Sequence, residues 1–215
     1  MSASTAVPRH SALPHLSSQR YAPVNNRLRL DLCTIADEPG PVRVQHVAAF
    51  LAWSPKVVHT GHRMVVRINH GPTALWLTES LPRHGVELVD VDGSSGTVLI
   101  NRPHMVLGRY GYRAGRWAFG QGAAATLGIT RGAIAAAGTL SGKGLRVQCP
   151  SAGFMLMLTA LLRRMEIAST PQAQEPRVIV GDASVPETLT RLGVSSEAIA
   201  LYRSQRAADS KGAQS

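Results

Sequence analysis

Acidic residues are missing from two long stretches of this 215-residue sequence. Residues 41–78 and 93–165 contain no Asp or Glu, although 93–165 includes nine Lys or Arg residues. Over the whole chain, 23 Lys and Arg face 13 Asp and Glu, which gives a formal net charge of +10. A charge of this sign attracts polyanions, so it favours nucleic acid as a partner over an anionic membrane surface. The alternative is a basic protein that needs only counterions.

Cysteine, aromatic residues and long apolar runs are also scarce. Only Cys33 and Cys149 are present, far apart, so the sequence has neither a disulfide framework nor a four-cysteine metal site. This usage is typical of a reducing cytoplasm, which is the predicted location. No segment reaches the roughly 18 apolar residues that cross a bilayer. The most apolar run, residues 154–162, stops at two arginines, so we expect a buried helix and no membrane partner.

Two segments of the chain show the same predicted order of elements, αββαββ. Each has a helix, then a hairpin whose second strand carries polar residues on one face, then a helix that opens next to a proline, Pro72 or Pro150. The first helix, residues 42–52, is amphipathic, and its counterpart at 131–138 is rich in Gly and Ala. A unit repeated in tandem usually makes one pseudo-symmetric body. We therefore predict an α+β fold of two repeats related by a pseudo-twofold axis.

The boundaries of these repeats define the predicted domains. Residues 1–30 are rich in Ser, Pro, Arg and His and are predicted to be a disordered basic arm. The first repeat is placed at 31–116 and the second at 117–206, and residues 207–215 are predicted to be a flexible tail.

Polar residues recur on the second strand of each predicted hairpin. Arg67 and Asn69 in the first repeat, and Arg146 and Gln148 in the second, alternate with apolar residues and therefore face away from the core. We expect Arg67 to superpose on Arg146, and Asn69 on Gln148. These side chains either contact DNA or are simply the polar residues that outward strand positions require.

Other basic residues lie in turns and in the segment that joins the repeats. Lys143 is in the turn Ser141–Gly144, and the segment 108–122 interleaves arginines and aromatic residues among glycines. Its arginines and tyrosines either clamp phosphates and stack on bases or belong to a connector. The eight predicted DNA-binding residues are Arg67, Asn69, Arg109, Arg113, Arg116, Lys143, Arg146 and Gln148.

Several patterns that suggest other chemistry are better explained by turns and linkers. His59 and His62 form H-x-x-H in a turn without a defined third ligand, so surface histidines explain the pattern better than a metal site. Gly120–Gly122 lacks the remaining residues of a phosphate-binding loop. Ser94, Ser95 and Ser141 have no positioned base, so they are not predicted to be nucleophiles.

The second repeat resembles the WhiA proteins, bacterial regulators of sporulation and cell division that are built on a homing-endonuclease-like body. The similarity begins in Thr130–Leu140, which resembles the second LAGLIDADG-type helix, and continues through Leu145–Pro150 and Leu161–Met165. It persists in Thr190–Gly193 and the helix that follows. It covers residues 125–206 and, more faintly, 41–110.

This resemblance implies two LAGLIDADG-like αββαββ repeats that form a pseudo-twofold saddle over DNA. It also implies a non-enzymatic regulatory protein in transcriptional control. The expected partners are DNA, bound weakly and without sequence specificity, and a transcription factor or an RNA polymerase component. WhiA proteins continue into a helix-turn-helix domain, whereas this sequence ends at Ser215, so we expect the body without that domain. A protein-interaction module with no DNA binding is the alternative.

The helix ends argue against nuclease chemistry. An active LAGLIDADG nuclease places one acid at the end of each of two packed helices, and the pair holds a divalent metal against the scissile phosphate. The matching ends are Ser54-Pro55 and Ala137-Gly138, which offer no carboxylate. We therefore predict no catalytic residue, no metal and no cofactor. The small residues Gly132, Ala133, Ala136 and Ala137 are expected to pack the two helices closely.

Overall fold

The computed structural model describes residues 20–212 as ten strands and eight helices, with two short 3₁₀ turns. The helices are α1 Ala22–Cys33, α2 Gly40–Trp53, α3 Gly71–Ser80, α4 Pro103–Val106, α5 Ala123–Ala137, α6 Ala152–Arg164, α7 Val185–Arg191 and α8 Ser196–Gly212. The strands are β1 Val57–Thr60, β2 Arg63–Ile68, β3 Val86–Val89, β4 Gly96–Asn101, β5 Tyr112–Arg113, β6 Arg116–Trp117, β7 Gly138–Ser141, β8 Gly144–Gln148, β9 Thr170–Gln172 and β10 Arg177–Gly181. No helix within residues 20–212 is long and apolar enough to span a membrane.

The predicted repeat is visible in the topology. The first sheet has the strand order β1-β2-β4-β3 and the second has β7-β8-β10-β9, and every pair of neighbours is antiparallel. In each repeat a helix leads into the hairpin that starts the sheet, and a second helix connects this hairpin to the other two strands. The α+β fold of two αββαββ repeats is therefore confirmed.

The two central helices approach each other closely because α5 has glycine at the contact. A Cβ atom built on Gly128 would lie 2.3 Å from the carbonyl oxygen of Val42, and one on Gly132 would lie 2.2 Å from that of His46. Only a residue without a side chain fits at this separation of the backbones. The neighbouring Ala133 is fully buried, whereas Ala136 and Ala137 are half-buried at the end of the helix.

The predicted disordered arm is wrong for its last residues, because α1 is a packed helix. Val24, Leu28 and Leu32 recur every four residues and are almost completely buried, so they form an apolar face that joins the common core. Asn25 pairs with the edge strand β7: its Nδ2 donates to the carbonyl of Leu140 at 3.2 Å, and the Leu140 N–H donates to its Oδ1 at 2.7 Å. The helix thus covers an open sheet edge. Residues 1–19 lie outside the described part of the chain.

The predicted flexible tail is also too long. Helix α8 continues to Gly212, six residues beyond the expected end of the second repeat at residue 206. Its buried residues Ala198, Ile199 and Tyr202 hold its first half against the core. Residues 213–215 lie outside the described range.

The expected superposition of Arg67 on Arg146 is wrong by two residues. The hairpin ladders pair Thr60 with Arg63 in the first repeat and Ser141 with Gly144 in the second, which aligns Arg67 with Gln148. Arg146 corresponds to Val65, which lies on the same face of the sheet. The error arises because both helices that follow open next to a proline, but Pro72 lies inside the first turn of α3 and Pro150 lies before α6.

Candidate nucleic-acid interface

The outer face of the second sheet, opposite its packed helix α6, forms a basic groove with a volume of about 730 Å³. Arg146 points into it from the middle of β8, and Lys143 contributes from the β7–β8 turn. Both side chains are exposed: Arg146 because alternate residues of β8 point away from the core, and Lys143 because it lies in the turn. The sheet thus brings together two of the predicted DNA-binding residues.

Arg177 on β10 adds a third cation to this groove that sequence reasoning missed. It lies directly opposite Gln148 in the ladder, so it also brings that predicted residue next to the groove. Its Nε donates to Gln172 Oε1 at 2.5 Å, and its Nη1 is 3.0 Å from the exposed carboxylate of Glu175. An exposed ion pair of this kind contributes little to stability, so Arg177 can readily exchange Glu175 for another anion. The sequence pattern that could have identified it is the alternation of Arg177 and Ile179 with the buried residues Val178 and Val180, which places Arg177 on the outer face of β10.

One acid borders the same groove. Asp209 on α8 lines its rim, 3.6 Å from the guanidinium of Arg20. No carboxylate projects from the strand positions that face the groove: these carry Thr139, Ser141, Arg146, Gln148, Thr170, Gln172, Arg177 and Ile179. The surface is therefore positive, with amide and hydroxyl donors between the cations, and such a surface suits a phosphate backbone.

The outer face of the first sheet differs. Val58, Val65 and Leu99 lie side by side across three strands, and Val58 is 53% exposed. Glu87 on β3 ends this row opposite Leu99, and it accepts a hydrogen bond from Asn101 at 3.3 Å. The basic residues Arg63 and Arg67 flank the row on β2. The two halves of the pseudo-symmetric body therefore present different chemistry.

Neither central helix ends in a carboxylate. Helix α2 ends at Trp53 and is followed by Ser54, whose hydroxyl donates to the carbonyl of Phe50 at 2.7 Å, while α5 ends at Ala137 and is followed by Gly138. Within residues 20–212, no three His, Cys, Asp or Glu side chains are grouped so that they could hold a metal ion. His59 instead stacks on Tyr112, with ring centroids 6.2 Å apart.

Arg67 and Asn69 lie beside these helix ends, in a smaller pocket of about 110 Å³. Asn69 accepts a hydrogen bond from the Lys56 ammonium at 3.2 Å. Arg29 of α1 lines the same pocket, and burial lowers the pKa of its guanidinium. Sequence reasoning missed both Lys56 and Arg29, because their position depends on how α1 and the segment after α2 pack.

The tyrosines of the segment between the repeats are not available for stacking on bases. Tyr110 and Tyr112 are 2% and 5% exposed and belong to the core. The Tyr110 hydroxyl donates to the carbonyl of Ser80 at 2.6 Å and accepts from Arg109, whose guanidinium lies 4.8 Å from the ring centroid. Arg109 is thus held against its neighbour, although its side chain remains exposed.

Arg113 and Arg116 form a pair on a small hairpin. They lie opposite each other on β5 and β6, and the turn between them uses Ala114 and Gly115 at positive φ. Both arginines are exposed, whereas Tyr112 and Trp117 at the base of the hairpin pack together with ring centroids 4.9 Å apart. The segment is therefore a structured projection with two cations at its tip.

A buried ionic cluster supports the central helix pair behind these surfaces. Glu38 lies between the Nδ1 of His46 on α2 at 3.1 Å and the Nη1 of Arg131 on α5 at 2.9 Å. Arg131 also donates to the carbonyl of Leu192 at 2.9 Å. Burial lowers the pKa of His46. Burial opposes ionisation of Glu38 as well, but His46 and Arg131 outweigh it and lower the pKa of that carboxyl. Arg131, one of the nine Lys and Arg residues in 93–165, therefore has a structural role in the core.

Two solved structures share this architecture over most of the chain. Full-length DUF199/WhiA from Thermatoga maritima matches with a TM-score of 0.59 and 10% identity over 84% of this chain. The N-terminal LAGLIDADG domain of DUF199/WhiA matches with a TM-score of 0.56 and 12% identity, covering 81% of this chain and 89% of that domain. This chain has a LAGLIDADG fold. The resemblance to the WhiA body that the sequence predicted is therefore confirmed at the level of the fold.

In the match with full-length DUF199/WhiA, this chain covers 66% of that protein's length. The endonuclease I-DmoI in complex with DNA and Ca is a more distant match, with a TM-score of 0.48 and 11% identity over 75% of this chain. No protein-family model and no curated protein sequence matches the chain.

Proposed function

We propose that this LAGLIDADG body binds DNA weakly and with little sequence preference, as a non-enzymatic part of transcriptional control of the WhiA type. The observation that carries this proposal is the basic groove on the second sheet, where Lys143, Arg146 and Arg177 line a concave surface without a carboxylate on its strands. Phosphate contacts from such residues fix a protein on a duplex but do not read its sequence.

The expected affinity follows from the absence of a reading element in this groove. Basic side chains on a sheet supply mainly the sequence-independent electrostatic contribution, so Kd is expected at roughly 10⁻⁴–10⁻⁶ M at physiological salt. The regulatory role, in sporulation or cell division, is supported by the shared fold with WhiA and by the sequence resemblance in the second repeat. The helix ends, without carboxylates at Ser54 and Gly138, support a role without catalysis.

The test is a titration of two unrelated duplexes by fluorescence anisotropy across a salt series. Replacing Arg146 and Arg177 by Ala is expected to weaken binding to both duplexes equally and to reduce the slope of log K against log salt by about two contacts. The matched control replaces Arg163 and Arg164, two exposed arginines at the end of α6 on the opposite side of the same sheet. If both double variants lose affinity equally, the groove has no special role.

The row of Val58, Val65 and Leu99 on the first sheet favours a second candidate, contact with a partner protein such as a transcription factor or an RNA polymerase component. Val58 is exposed and Val65 and Leu99 are half-buried, and apolar side chains side by side on the open face of a sheet are more typical of a protein contact than of a phosphate contact. If no duplex binds even at about 50 mM salt, protein contact is the better account. Replacing Val58 by Ser should then impair binding of the partner.

A further inference from the structure

The small pocket at the ends of the central helices has an unusual concentration of positive charge. Arg29, Lys56 and Arg67 all line its volume of about 110 Å³, and no Asp or Glu lines it. Phe50 and Ile68, both buried, contribute apolar side chains to its lining. Three cations therefore converge on one concave site, from α1, from the segment after α2 and from β2.

These cations have no carboxylate partners within residues 20–212. None of the ion pairs there involves Arg29, Lys56 or Arg67. Arg29 is half-buried, and its one hydrogen bond to the described part of the chain is a long one, 3.5 Å from Nη2 to the carbonyl oxygen of Gly138. A guanidinium that loses water without gaining an anion is costly, so the site favours binding of a negative group.

The start of α3 adds donors at the same place. His70 and Thr73 line the pocket, and α3 has no side-chain cap at its N-terminus. Because Pro72 has no N–H and Gly71 does not line the pocket, the backbone N–H of Thr73 is the donor that this first turn can offer there, and it carries the partial positive charge of a helix start. The His70 side chain does not cap the helix, because its Nδ1 is hydrogen-bonded to the Thr73 hydroxyl at 2.8 Å. The carbonyl ends of α2 and α5 have the opposite polarity and help to hold Arg29 and Lys56 there.

The size of the pocket limits the ligand. A volume of 110 Å³ corresponds to roughly four water molecules at about 30 Å³ each. This is room for one tetrahedral oxyanion, and the rest of a larger ligand would lie outside the pocket. Two guanidinium groups, an ammonium and the Asn69 side chain offer several hydrogen-bond donors around it.

We propose that this pocket binds a single phosphate group, and that in the DNA complex the group is a backbone phosphate between the two sheets. The proposal rests on the proposed function for the source of the phosphate, but not for the phosphate chemistry itself. Arg29 and Lys56 then act as phosphate ligands in addition to the residues of the groove. A small phosphorylated molecule has the same chemistry and is the alternative source.

The first measurement uses inorganic phosphate as the probe. The melting midpoint of the protein is compared in phosphate and in chloride at the same pH and ionic strength. At phosphate concentrations ten times Kd, the midpoint is expected to rise by about 3–6 °C. The exposed Lys56→Gln and the half-buried Arg29→Gln should each reduce this rise, whereas Arg164→Gln, at the end of α6, should keep it.

The second measurement is the salt series with DNA. Lys56→Gln and Arg29→Gln should each reduce the log–log slope by about one contact on unrelated duplexes, with Arg164→Gln unchanged. If phosphate stabilises the protein but the salt slopes of Lys56→Gln and Arg29→Gln equal that of the wild type, the pocket binds a small phosphorylated ligand, and the proposal of a DNA phosphate is wrong. If the slopes fall without any effect of phosphate, the residues only add to the general field, and the pocket is refuted.

The two proposals can fail separately. Loss of the groove arginines Arg146 and Arg177 should leave the stabilisation by inorganic phosphate intact, because they do not line this pocket. Absence of DNA binding together with a phosphate effect that depends on Lys56 would overturn the proposed function and keep the phosphate site. DNA binding with neither a phosphate effect nor a change of slope in the pocket variants would overturn the site alone.

Discussion

Replacing Gly132 by Ala tests the close contact between the central helices on which both repeats depend. The added Cβ would lie 2.2 Å from the carbonyl oxygen of His46, 2.7 Å from the backbone nitrogen of Phe50 and 2.8 Å from the Cβ of Ala49. Ordinary contact begins at 3.4 Å, so the oxygen is more than 1 Å too close. Two of these three atoms are backbone atoms of α2, which move only if the whole helix shifts.

The magnitude follows from two opposing effects. Overpacking of a core costs about 1–3 kcal/mol, and rigid backbone neighbours favour the upper part of this range. Alanine in place of glycine returns up to about 1 kcal/mol of helix propensity. We expect a net loss of about 2 kcal/mol in the free energy of unfolding, which lowers the melting midpoint by roughly 4–8 °C for a chain of this length.

The assay is thermal and urea denaturation followed by circular dichroism. Gly153→Ala is the matched control, because Gly153 is exposed near the start of α6 and an added Cβ would meet only the Ser151 hydroxyl, at 3.7 Å. That variant should be as stable as the wild type or more stable by up to about 1 kcal/mol, because only the gain in helix propensity applies there. A Gly132→Ala protein that melts at the wild-type midpoint would show that α2 and α5 do not touch at this position.

Three further predictions follow from other parts of the molecule. Stability should fall on acidification. The pKa of His46 is lowered by burial, so below about pH 6.5 the unfolded chain binds a proton there more readily than the folded protein, and the free energy of unfolding falls. The pKa of Glu38 is also lowered, so its contribution to the free energy of unfolding is lost as the pH falls below about 4.5. Urea denaturation midpoints between pH 8 and pH 4 measure this loss of stability. In the His46→Gln variant the midpoint should depend less on pH in the upper part of this range. Burial raises the pKa of the Cys33 thiol to about 12, so Ellman's reagent should modify it only after unfolding, and prompt reaction would contradict its burial. The purified protein should not cut plasmid DNA with Mg²⁺ or Mn²⁺, and cleavage that disappears on mutation of this chain would refute the non-enzymatic assignment.

The repeat and its elements could be predicted from the sequence because they depend on local patterns. Alternation of apolar and polar residues marks β2 and β8, and prolines mark the helix starts near Pro72 and Pro150. The small residues of α5 predicted close packing, but Gly128 was not recognised as part of the contact. The helix α1 was missed because arginines and asparagines separate its apolar residues, although Val24, Leu28 and Leu32 have helical spacing.

The candidate site was only partly predictable. Outward positions such as Arg146 follow from strand alternation, and the structure confirms their exposure. Their role in DNA binding stays a prediction. The alignment of Arg67 with Arg146 failed because the ladder, and not the distance to the next proline, sets the register. Tyr110 and Tyr112 were candidate stacking residues, but local sequence does not show that the core covers them.

The sequence by itself determined the charge, the repeated order of helices and strands, and the absence of acids from both helix ends, because each of these is a property of residue types and their spacing. Tertiary structure decided which cations meet. Arg29 comes from α1, Lys56 follows α2 and Arg67 lies near the end of β2, yet they line one pocket. Arg131, in contrast, is held in the core by Glu38. The physical reason is that charges interact through space, and their distances depend on the packing of elements that are far apart in the chain.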